Sequence, residues 1–255
     1  MTLRPLILNS GAFMAKIPKE PKEIFNEFVR DYREAFGSDL VSVILYGSGA
    51  REEYIPKKSD INFLVVLSEE GIDRLDRAFK LVAKWHKRMV ATPLLLSRSH
   101  IASSLDSFPI EFLNLKACYQ VVCGEDVLKD LTIASEDIRL QCERDLKGKI
   151  IQLRKGFLES YGRKRAIEHL IIHSLPAFFS IFQSMVYLKE GGVVCERKGM
   201  IEKMETVFGL DKECFLDLTS IREGKQKLKN DKEALNVMNR YIGAIVRLSG
   251  YIDQP

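Results

Sequence analysis

Two kinds of hydrophobic periodicity divide the chain. From residue 18 to about 126, short apolar runs alternate with amphipathic stretches; from Ser135 onward only helical spacing remains. "PKEPKEIFNEFVRDYREAF" sets Ile24, Phe25, Phe28, Val29, Tyr32 and Phe36 on one face at helical intervals, and Gly37-Ser38 stops it. Val41–Tyr46 and Ile61–Leu67 are short runs rich in Val and Ile, which predict buried strands. Ser68–Met89 opens with a Ser cap and acids and closes with bases, the charge order that suits a helix dipole. Val90–Ser97, Phe108–Lys116 and Tyr119–Gly124 complete an expected sheet of about five strands.

Beyond Ser135 the pattern predicts a long amphipathic helix, then a strongly apolar one containing Pro176 and ended by Gly191-Gly192. Three shorter helices come next, near 197–208, 212–228 and 232–252. The expected fold class is therefore α/β (α+β): a mixed-sheet domain over residues 1–130 and an all-α helical bundle over 131–255. A nucleotide-sized cleft is expected between the two, since such clefts are favoured ligand sites.

Composition narrows the class. With 46% hydrophobic residues the 255-residue chain can bury a real core, and 29% charged residues are ordinary for a globular protein. The net charge of +4 falls wholly after residue 130 and forms no dense basic run, so nucleic acid is not an expected partner. No apolar run approaches the roughly 20 residues of a membrane span. The brief apolar patch near the N-terminus lacks a convincing cleavage site, so a cytoplasmic protein without a membrane partner is expected. The five cysteines form no C-x-x-C pair and are expected to be reduced thiols.

The chemistry concentrates in "VSVILYGSGAREEYIPKKSDINFLVV", residues 41–66. Gly47-Ser48 ends the first strand and is expected to enter a helix, where glycine lets backbone approach a phosphate and the amides and hydroxyl can hold it. Asp60 and Asn62 stand two apart on the second strand, so both face the same way. Oxygen ligands there could hold Mg2+ against a triphosphate, and a third carboxylate on a neighbouring strand would complete the site. Glu111, charged within the otherwise apolar "FPIEFLNLK", is the candidate for that third acid and for a general base.

The strand, Gly47-Ser48, the excursion and Ser-Asp-x-Asn together resemble the signature of the DNA polymerase beta-type nucleotidyltransferase superfamily, near its bacterial minimal and aminoglycoside-type branch. The resemblance covers residues 40–126 by motif, and 135–255 by helical character alone. It implies that Gly47, Ser48 and Arg51 hold the nucleotide, that Asp60 and Glu111 are catalytic, and that Asp60, Asn62 and Glu111 ligate Mg2+. It further implies transfer of a nucleoside monophosphate from Mg-NTP to a hydroxyl of an unspecified acceptor, and it leaves a homodimer open. The departure is Asn62, where the superfamily has a second Asp. Asn presents one neutral carbonyl oxygen in place of a charged pair. The alternative is thus a catalytically impaired protein that keeps the fold as a nucleotide-binding or regulatory module.

Other residues are less telling. Lys57 and Lys58 precede Asp60 and suit either phosphate or water. His169 and His173 stand one helical turn apart, but no HExxH motif surrounds them, and packing between helices is their expected role. Arg163 with His169 loosely fits the Arg and His spacing of helical ribonucleases that partner minimal nucleotidyltransferases. Trp85 and the cluster Phe178, Phe179 and Phe182 are expected in cores.

Overall fold

A computed structural model describes residues 16–252, so the apolar patch near the N-terminus, read above as no signal peptide, lies outside the described residues. The chain divides into two compact units. The first comprises the chain up to Arg98 together with Gln120–Asp126, and the second comprises Ser99–Tyr119 and everything from Val127 on.

The first unit is built on a four-stranded mixed sheet. After a short 3-10 turn, α1 (Phe25–Phe36) ends at Gly37 and leads into β1 (Leu40–Tyr46). β2 (Asn62–Leu67) returns antiparallel to β1, with Tyr46 opposite Asn62 and Leu45 opposite Phe63. The expected Ser68–Met89 helix is broken into α2 (Glu69–Ile72), a 3-10 turn and α3 (Phe79–His86). Arg74, at φ −123° and ψ 36°, leaves the helical region and marks the break. The Ser68 cap is real: its hydroxyl accepts from the Gly71 N–H at 3.1 Å. β3 (Leu94–Ser97) lies parallel to β2, and β4 (Tyr119–Gly124) lies outside β1, giving the order β3-β2-β1-β4.

Alternation along β1 and β2 decides the core. Val43, Leu45, Phe63, Val65 and Leu67 share one fully buried face with Phe28 and Tyr32 of α1 and with Trp85. Phe28 stacks on Phe63 with ring centroids 4.1 Å apart and on Tyr32 at 4.5 Å. Asn62, Leu64 and Val66 therefore point to the opposite face.

The second unit is all helix. α4 (Arg98–Ser103) begins at its edge, and α5 (Pro109–Ala117) occupies the segment expected to be a fifth strand. The correction has a physical cause. A nine-residue apolar run is ambiguous by periodicity, but this one has Pro at the start, Glu111 in the first turn and Lys116 in the last, all of which favour a helix. Ile110, Phe112, Leu113 and Leu115 are all buried, which suits a helix enclosed on several sides. The Gln141 side-chain oxygen also accepts from the Ile110 N–H at 2.9 Å, near the helix start.

The bundle proper consists of α6 (Ser135–Glu159), α7 (Lys164–Glu190), α8 (Arg197–Phe208), α9 (Lys212–Arg222) and α10 (Asp231–Ile252). α7 is long and apolar enough to cross a membrane by length and composition, against the expectation that no such segment exists. Its apolar side chains are nonetheless taken up by neighbouring helices: Phe178, Phe182, Phe215 and Tyr241 form an edge-on aromatic core with centroids 5.3–5.8 Å apart. Gly191, at φ +73°, closes α7 in the left-handed region.

Cys123, Cys142 and Cys214 are free thiols. Cys118 and Cys195 are not; they form a disulfide across 77 residues, against the expectation of reduced cysteines throughout. Scattered spacing hides such a pair, because only the folded bundle brings the end of α5 to the loop after α7.

Candidate functional site

The candidate site of the first unit lies where β1 ends and β2 begins. Gly47 takes φ +73°, a conformation that favours glycine. A Cβ there would lie 3.2 Å from the Asn62 Nδ2, so the turn and the Asn62 side chain are packed together. The expected helix after Gly47-Ser48 is absent. Gly47–Gly49 make one 3-10 turn, with the N–H groups of Ala50 and Arg51 donating to the Gly47 carbonyl at 3.1 and 3.2 Å. The Glu53 N–H donates to the Ser48 carbonyl at 3.0 Å. The site thus has a tight backbone turn but no extended helix dipole behind it.

Asp60 is exposed and Asn62 half-buried, as expected for side chains pointing away from the Phe63 face. The Asn62 amide donates to the Asp60 carbonyl at 3.4 Å, a long bond that keeps the side chain folded over its own strand. Arg51 is half-buried beside the turn, while Lys57 and Lys58 are exposed on the excursion. Tyr54, which the motif did not single out, joins this group. Its hydroxyl donates to the Pro18 carbonyl at 3.2 Å. Burial raises that hydroxyl above its ordinary pKa, and the charges of Glu23 and Asp60 add to the effect.

Register shows what a third acid would require. On the side of β2 away from β1 lies β3, where Leu94 faces Leu64 and Leu96 faces Val66. Leu64 shares the Asn62 face, so Leu94, 42% exposed, is the β3 side chain that comes after Asn62 along that face. The whole segment 90–97, "VATPLLLS", contains no carboxylate. Glu111, the sequence candidate, is on α5 in the helical unit. Its carboxylate accepts from the Gln141 Nε2 at 2.9 Å, and Gln141 is itself only 4% exposed.

Among the described residues no group of three or more His, Cys, Asp or Glu side chains could hold a metal ion. At the start of β2 Asp60 supplies one charged oxygen, Asn62 a neutral one, and β3 none. That donor set does not fit the pair of Mg2+ ions the superfamily signature implies, because each hard cation needs anionic oxygens.

No protein-family profile and no curated protein sequence matches the chain. Among solved structures it is similar to the crystal structure of spectinomycin adenyltransferase AAD(9) from Enterococcus faecialis with ATP and spectinomycin. The TM-score is 0.51 at 14% identity, over 88% of this chain and 99% of that one. The chain has a nucleotidyltransferase fold. Within this nucleotidyltransferase fold the mixed sheet and the helices after it match what the sequence resemblance implied, with four strands in place of about five.

Proposed function

We propose that this chain is a nucleotide-binding protein on a nucleotidyltransferase scaffold, with metal-dependent transfer weakened at the sheet. The observation that carries the reading is the face shared by Asp60, Asn62 and Leu94: one acid where a transferase would place three. The Gly47–Gly49 turn keeps its close-approach geometry and is the part that would hold phosphates, with Ser48 and Arg51 beside it. Transfer of a nucleoside monophosphate depends largely on placement and charge neutralisation, so removing two acids acts on the chemical step more than on binding.

AAD(9) makes ATP the first nucleotide to try and spectinomycin the first acceptor. A second reading, active transfer, is favoured by Glu111, whose carboxylate is held by a buried amide as an acid–base group would be. Calorimetric titration of ATP with and without Mg2+ separates the two. The expected result is binding that changes less than about threefold with Mg2+, and gains tenfold or more dependence in Asn62→Asp/Leu94→Glu. Formation of adenylated spectinomycin by the unaltered protein would establish the second reading and overturn the first.

A further inference from the structure

His169 and His173 belong to neither reading, and the structure changes what they can do. Packing between helices was their expected role, yet both side chains are exposed on α7. They stand at i and i+4, one turn apart on the same face, with ring centroids 4.1 Å apart and planes inclined at 51°. Two imidazoles this close at i and i+4 of a helix have the spacing that a bidentate ligand needs, and both rings are exposed.

We infer that His169 and His173 chelate a late first-row divalent cation, Cu2+, Ni2+ or Zn2+. Neutral imidazole nitrogen suits these borderline ions, whereas Mg2+ and Ca2+ take oxygen, so this site is chemically distinct from any at Asp60. The ions differ in affinity, with Cu2+ the tightest of the three. The neighbouring carboxylate does not join the pair: the Glu168 Oε1 accepts from the Leu228 N–H at 3.0 Å, on another side of the helix. No third protein ligand is found among the described residues, so water or an exogenous ligand fills the remaining positions. The helix supplies the chelate effect by fixing the second imidazole beside the first, as any tether raises effective concentration. Arg165 stands four residues before His169, on the same face of α7, where its charge opposes cation binding.

The test is calorimetric titration of the full chain with Cu2+, Ni2+, Zn2+ and Mg2+, alongside His169→Ala, His173→Ala and the double variant. The inference expects one Cu2+ per chain at this pair, at least tenfold weaker binding in either single variant, and loss of that event in the double variant. Mg2+ should give no heat assignable to the pair. Electron paramagnetic resonance of the Cu2+ form should show two coupled imidazole nitrogens, falling to one in each single variant. Both residues are exposed, so the variants should melt within a degree or two of the parent. A Cu2+ event that survives the double variant unchanged would overturn the inference, as would a single variant that binds as tightly as the parent.

Discussion

Asp31 is the only buried carboxylate among the described residues, and it explains why α3 sits where it does. Its Oδ2 accepts from Lys84 Nζ at 2.6 Å and from Trp85 Nε1 at 3.1 Å, so a large buried indole keeps its one donor satisfied. Lys84 also pairs with Glu27 at 3.0 Å, and Lys84 and Arg88 both lie over the Trp85 ring. The Lys84 hydrogen bond, helped by Arg88 and opposed by burial, holds the Glu27 carboxyl below its ordinary value. A lowered carboxylate pKa contributes stability above the unfolded value and loses it as pH falls through the folded one. Glu27→Gln should therefore have a lower urea midpoint than the parent at pH 7, with the gap closing as the solution is acidified below pH 4.5. Parallel midpoints from pH 7 to pH 3 would mean that Glu27 is not the titrating group. At this scale the common direction of Asp60 and Asn62 was legible, because extended backbone fixes the face of residues two apart. Leu94 was not, because its place depends on a register between segments about thirty residues apart in sequence.

At the scale of elements, the glycine ending β4 has the least room for a side chain of the described glycines. Gly124 has φ +83°, and a Cβ there would lie 2.0 Å from the Val41 carbonyl oxygen and 2.9 Å from the Ser42 Cα. The Ser42 hydroxyl, buried in the same place, reaches the carbonyls of Cys123 at 3.2 Å and Glu125 at 2.6 Å. Backbone, unlike a flexible side-chain tip, cannot give way. Gly124→Ala should therefore cost well over about 1 kcal/mol, read as a lower urea midpoint. A variant as stable as the parent would show that β4 can move off β1. The long helices α6, α7 and α10 were legible from spacing and end signals, because three or more turns of amphipathic pattern leave no strand alternative. The segment that became α5 is short and apolar on several sides, so its period could not arbitrate and only Pro109 and the charge order pointed to a helix. The turn at Gly47-Ser48 was misread for a related reason: Gly-Ser after a strand marks a change of direction, but does not fix the type of the next element.

For the molecule as a whole, the disulfide is the feature sequence could not supply. A cross-link spanning 77 residues restricts the unfolded chain, and bonds of this kind typically stabilise by about 2–4 kcal/mol. Urea unfolding with and without dithiothreitol should show that loss, and Cys195→Ser should match the reduced parent. Equal midpoints in oxidising and reducing buffer would mean that the bond adds nothing to stability. The order of segments has a different consequence, one for synthesis. The chain leaves the first unit at Arg98 and returns at Gln120, so β4 is threaded after two helices that belong elsewhere. A nascent chain emerging from the ribosome cannot complete the sheet when its first three strands are out. It must wait for β4 while α5 carries Ile110, Phe112, Leu113 and Leu115, whose bundle has not yet been translated. The interval between those two events is when this protein most needs a chaperone, and a stop codon between Ala117 and Gln120 would leave both an open sheet edge and an orphaned apolar helix.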